Sequence, residues 1–184
     1  MSALREYADP GVAALAKQVF GSGTQTTKPQ VKAEIERIRG IVAAAPGDPY
    51  QGETHFLQRC AACHTLFFKG GKVGPNLTPY QRDDLGTMLV SILDPSAEIR
   101  EGFVNQTVRT KDGRTLSGFL TSQDAGVVVL RGLDGQDVSI DRTEIQEMKA
   151  SATSLMPEGL LSGMTDQQLR DFFAYLRIPQ PISK

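Results

Sequence analysis

The sequence predicts a mainly α-helical fold that is interrupted by a small antiparallel β-sheet and then resumed. Two observations carry this expectation. Helix-start signatures at Asp9-Pro10, Asp48-Pro49 and Thr165 are each followed by apolar residues at helical spacing. From about residue 103 to 148, by contrast, turn dipeptides recur roughly every 8–12 residues, as short strands require. At 184 residues the chain is long enough for one elaborated domain or two small ones.

The first helix is expected after Asp9, with Pro10 at its first position, Leu15, Val19 and Phe20 along it and Gly21 closing it. "GSGTQTTKPQ" reads as a linker. A second helix follows Lys28-Pro29. Val31, Ile35, Ile38 and Val42 form its apolar face and Lys32, Glu34, Glu36 and Arg37 its wet one. Residues 1–46 are thus expected to be a short N-terminal helical extension without chemistry of its own. The helix opening at Asp48-Pro49 runs through Gly52, Phe56 and Leu57 and delivers Cys60 at its end. After the Gly- and Pro-rich "KGGKVGPNLTP", Leu85, Met88, Leu89 and Ile92 mark another helix that stops before Asp94-Pro95.

Turn signals at Asp112-Gly113, Ala125-Gly126 and Asp134-Gly135 separate "NQTVRT", "TLSGFLTS", "GVVVLRG" and "DVSID", which are rich in residues that suit a pleated surface. Four or five strands in a curled sheet or partial barrel are expected. The helical pattern returns at Thr165, which with Gln168 predicts a capping box. Leu169, Phe172, Phe173 and Leu176 supply the apolar face and Pro179 the stop, leaving 179–184 as a tail.

Twenty Lys and Arg against twenty-one Asp and Glu give a net charge of −1, with no electrostatic footprint for nucleic acid or an anionic membrane. No stretch approaches the length of a membrane span, and "MSALREYADP" has neither region of a signal peptide. Neither a nucleic-acid partner nor membrane insertion is expected. The chain is either cytosolic or a piece whose export signal lay upstream.

The chemistry concentrates in Cys60-Ala61-Ala62-Cys63-His64, which holds the only two cysteines. A thioredoxin-like redox pair belongs at a strand-to-helix junction, whereas this motif ends a helix in a helical region. A structural zinc site needs four ligands, and the chain offers only Cys60, Cys63, His64 and His55, crowded into ten residues. A c-type haem uses every residue of the motif: both thiols form thioethers and the adjoining His64 binds the iron. Asp83, Asp84 and Glu158 read as solvated acids, and no catalytic residues are assigned.

The flanks resemble the cytochrome c family. Gly52 and Phe56 match the Gly-x-x-x-Phe of that family's first helix, and Tyr175-Leu176 in "LRDFFAYLRI" resembles the Tyr-Leu step of its closing helix. "VGPNL" resembles the segment whose proline carbonyl accepts the free N–H of the iron-binding histidine, which implies Pro75 as partner of His64. Met156, in "SLMPEGL", resembles the Met-Pro that brings sulfur to the iron. Met88 and Met164 read instead as packing residues, Met148 as the close of the β unit, and His55 as a surface histidine. The chain has no Trp, so the haem propionates have no assigned partner.

The long separation of His64 from Met156 departs from a small cytochrome c and matches the β insertion. The order "CAACH…VGPNLTPYQRDDL…SILDPSAEIREGF…TKDGRTLSGFL…SLMPEGLLSGMTDQQLRDFFAYL" resembles the Planctomycetes/Verrucomicrobia-type haem-binding domain over about residues 47–178. That resemblance implies one covalent haem c held by Cys60, Cys63, His64 and Met156, and one-electron transfer rather than an enzymatic reaction. It also implies a redox partner, either a fused or separate dehydrogenase or another cytochrome. A periplasmic or otherwise extracytoplasmic location follows, the chain being an excised domain without its signal. A haem-based gas sensor or peroxidase-like protein with a labile sixth ligand is the alternative.

Overall fold

The computed structural model describes residues 28–183. The helix expected at residues 9–21 lies outside the described residues. Helix α1 (Pro29–Ala44) starts with proline at its first turn, as expected, and buries Ile35 and Ile38. Helix α2 (Pro49–Arg59) is capped by Asp48, whose carboxylate accepts from Tyr50 N at 2.8 Å. Helix α3 (Leu85–Leu93) stops at Asp94, ahead of Pro95, and helix α4 (Asp166–Arg177) opens with the expected Thr165/Gln168 capping box.

These four helices share one core of Ile35, Ile38, Phe56, Leu89, Ile92, Leu169, Phe172, Phe173, Tyr175 and Leu176. At its centre α2 crosses α4 with Gly52 at the contact. A Cβ there would fall inside the Asp171 carbonyl and 2.7 Å from the Tyr175 Cβ, so only glycine lets the two backbones approach. Phe56 and Tyr175 pack tilted with ring centroids 5.7 Å apart.

Between α2 and α3 lies a hairpin absent from the sequence reading. Strands β1 (Thr65–Leu66) and β2 (Lys69–Gly70) pair antiparallel across a two-residue turn, Phe67-Phe68. Both turn residues have positive φ, 49° and 69°, which matches the twist of a tight hairpin but is a costly conformation for a bulky side chain. Phe67 compensates by packing edge-on to Tyr175 and under the Arg82 guanidinium, whereas Phe68 is 93% exposed.

The expected sheet is present. Strands β3 (Asn105–Thr110), β4 (Thr115–Gln123), β5 (Val127–Arg131) and β6 (Asp137–Asp141) form an antiparallel meander with turns at the three predicted places. A short 3-10 turn (Arg142–Glu144) then leads into β7 (Ile145–Ala150), which returns to pair with β3 and gives the order β6-β5-β4-β3-β7. The sheet carries a second, separate core of Val108, Val128, Leu130 and Ile140. It meets the helical body at few points: Phe103 against Phe119, and the β5–β6 turn at Gly135 over Val73. Helix takes up 33% and strand 22% of the described residues, so the expectation of a mainly α fold is met only in part. The return strand β7 adds to the sheet beyond the four strand segments read from sequence.

Candidate functional site

Helix α2 ends where the motif begins. Cys60 is its C-cap residue, and the turn that follows is closed by Cys63 N and His64 N, both donating to Cys60 O at 3.1 and 2.9 Å. Cys60, Cys63 and His64 therefore lie on one tight turn. Both cysteines are free thiols, half-buried, and no disulfide joins them. Burial pushes the Cys60 thiol up to about 12, the opposite of the depressed thiol on which a redox Cys-x-x-Cys relies. Among the described residues no group of three or more His, Cys, Asp and Glu is arranged to hold a metal ion.

His64 is oriented from the far side of its ring. Its Nδ1 donates to Pro75 O at 3.0 Å, so that nitrogen carries the proton and Nε2 keeps its lone pair. Burial lowers the imidazole pKa, with the Pro75 hydrogen bond opposing in part, so the ring stays neutral and able to bind metal at pH 7. Gly74 is part of this fit: a Cβ there would stand 2.8 Å from the His64 Cε1 and push the ring aside. The loop that presents Pro75 is laced to the motif by Gly71 N to Ala61 O at 2.7 Å, Gly74 N to Cys63 O at 2.8 Å and Leu77 N to Thr65 O at 2.7 Å.

Met156 packs against the helical core together with Cys60, Leu77, Leu85, Met88, Leu93 and Leu160, all only partly buried. Two thiols and an oriented neutral imidazole on one turn are the donor set of a covalently attached haem, and these residues fit a c-type haem. The other methionines sit as expected: Met88 against the helical core, Met164 within it, Met148 against the core of the sheet. His55 is half-buried on α2 rather than fully exposed.

Several supporting residues escape sequence reasoning. Arg82 donates to Leu77 O, Thr78 O, Leu176 O and Ile178 O, tying the loop after Pro75 to the end of α4. Glu53 is 5% exposed, pairs with Lys69 at 2.5 Å and accepts from the Tyr175 hydroxyl at 3.4 Å, joining α2, the hairpin and α4. Asp171 accepts from Asp48 N at 2.7 Å. For Glu53 and Asp171 a single signal was available, a charged residue interrupting an apolar helix face; Arg82 lies in a loop and has none. Of the acids read as solvated, Asp84 caps α3 and Glu158 pairs with Lys28 at 2.7 Å.

The motif turn with its two thiols and oriented histidine has the chemistry that attachment of a c-type haem requires. Residues 50–130 match the family model described as Cytochrome c. The match supports a place in the cytochrome c family, whose domains bind haem iron and transfer electrons. It begins within α2 and ends on β5, so the Met156 loop and α4 lie beyond it. No curated protein matches the chain. No helix among the described residues is long and apolar enough to cross a membrane.

Proposed function

We propose that this chain is a one-electron carrier with a single haem c bound covalently through Cys60 and Cys63 and ligated by His64 and Met156. One observation carries the reading. An imidazole whose Nδ1 is held at 3.0 Å by Pro75 O adjoins two free thiols on the same turn. The bound group would supply a reversible one-electron couple at iron. The protein's share is to present Nε2 in a fixed tautomer, to pack apolar side chains such as Leu77, Leu85 and Leu93 around the group, and to bring a thioether from the Met156 loop. Thioether ligation favours the reduced state relative to a second histidine.

The wider reading rests on motif order. The chain is a Planctomycetes/Verrucomicrobia-type domain spanning about residues 47–178, with residues 1–46 as an extension. It accepts electrons from a fused or separate dehydrogenase or another cytochrome, and works outside the cytoplasm, where thioether attachment takes place.

The test is the optical spectrum of the haem-loaded protein in both oxidation states, with Met156→Ala beside the wild type. The wild type is expected to show the weak near-infrared sulfur-to-iron band in the ferric form and little carbon monoxide binding in the ferrous form. Met156→Ala is expected to lose the band and bind carbon monoxide. A wild type that is already high-spin, lacks the band and binds gas readily would replace this reading with the sensor or peroxidase-like one.

A further inference from the structure

The loop that carries Met156 has no regular secondary structure between β7 and α4, yet it is fastened at several points. Ser154 N donates to Ser96 Oγ at 3.1 Å, and Met156 N to Ser154 Oγ at 3.1 Å. Lys28 bridges Glu158 at 2.7 Å and Asp94, at the end of α3, at 2.8 Å. These bonds hold the first part of the loop against α1 and α3. The second part is held by Arg59, the last residue of α2 and the neighbour of Cys60. Its Nη1 donates to Leu160 O at 2.8 Å and reaches Ser162 O at 3.4 Å, across 101 and 103 residues of sequence. Gly159 and Gly163, both at positive φ (78° and 74°), bracket this stretch and let the chain turn its carbonyls toward the guanidinium.

We propose that Arg59 is a positioning residue for Met156. It fixes the distance between the attachment turn and the loop, and thereby how firmly the sixth ligand is held. The inference rests on the His64/Met156 ligation proposed above. Arg suits the role because the planar Nη1 carries two N–H groups in fixed directions and so meets two carbonyls at once, and hydrogen bonds from a charged donor are the stronger kind. Lys keeps the charge and N–H donors but holds them on a flexible stem rather than in a fixed plane. With Ser96 and Lys28 still holding Ser154 and Glu158, loss of Arg59 loosens one half of the loop only, so its effect falls short of Met156→Ala.

The experiment compares haem-loaded wild type, Arg59→Gln, Arg59→Lys and Met156→Ala by ferric near-infrared spectrum, carbon monoxide binding rate and midpoint potential. Arg59→Gln is expected to weaken the sulfur-to-iron band, speed carbon monoxide binding by roughly tenfold and lower the potential. Arg59→Lys should recover part of each change. A wild-type band with Arg59→Gln matching it in all three readouts overturns the proposal while leaving the ligation intact. A wild type without the band overturns the ligation and the proposal together. Should Arg59→Gln fail to take up haem, Arg59→Lys decides: partial weakening supports the role, and wild-type behaviour overturns it.

Discussion

Phe67 and Phe68 show how one backbone conformation can serve two opposite side-chain fates. Both hold φ in the left-handed region, a conformation that costs a bulky residue about 1 kcal/mol or more. Phe67 is 5% exposed and recovers the cost through Tyr175 and Arg82, whereas Phe68 is 93% exposed and recovers nothing visible. Phe68→Asn is therefore expected to stabilise the protein by roughly 1 kcal/mol, because asparagine tolerates that region. Phe67→Asn is expected to destabilise it by about 3 kcal/mol through the loss of a buried ring. Urea unfolding of both variants checks the pair, and an unchanged or lower midpoint for Phe68→Asn would show that the turn is not strained there.

Residues differ in how far sequence announces them. Pro75 and Gly52 belong to short local patterns, and their roles follow from spacing of a few residues. Glu53, Arg59, Arg82 and Asp171 act on groups 122, 101, 94 and 123 residues away, and no local pattern encodes such partners.

At the scale of elements, caps proved the most legible feature. Asp48-Pro49 and the Thr165/Gln168 box open helices where expected, since the orphan N–H groups of a first turn demand such side chains. Asp84 is instructive because it read as a solvated acid. Its carboxylate accepts from Gly86 N at 2.9 Å, Thr87 N at 3.2 Å and Thr87 Oγ1 at 2.6 Å. The Thr87 hydroxyl bond, foremost, holds its pKa below the usual aspartate value. A depressed carboxylate contributes stability above its unfolded pKa and loses it as pH falls through the folded one, so the cap weakens on acidification below about pH 4. Asp84→Ala is expected to cost about 1 kcal/mol at pH 7, with the difference from wild type shrinking in acid. Thermal unfolding at both pH values measures it, and a gap that stayed constant would mean the cap is not ionised.

Strand β7 was hard to read for a related reason. "IQEMKA" mixes Gln, Glu and Lys with few strong strand formers, and pairing with β3 rather than propensity makes it a strand. The Phe67-Phe68 hairpin likewise lacks the Asn-Gly or Asp-Gly that signals such a turn.

Across the whole molecule, two cores divide the chain, one in the helical body and one in the sheet. Helix α1 contributes Ile35 and Ile38 to the first of these. Deleting residues 1–46 is therefore expected to expose apolar surface on α3 and α4 and to lower the thermal midpoint by several degrees. A midpoint unchanged by the deletion would mean that the body closes without α1. The separate cores also account for what composition could not convey: a sheet of one character within a helical chain dilutes both signals when the chain is averaged.

The pairing of β3 with β7 has a consequence for the loop that carries Met156. Ser151 N donates to Asn105 O at 2.8 Å, so the chain enters and leaves the sheet at neighbouring points. For the Met156 loop the sheet is a closed bight rather than slack. The free tether from α3 to Met156 includes only the short stretches on either side of it, and closing a short tether costs less entropy than closing a long one. Loops on the sheet can lengthen or change without lengthening that tether, so variation there leaves the placement of Met156 unaltered.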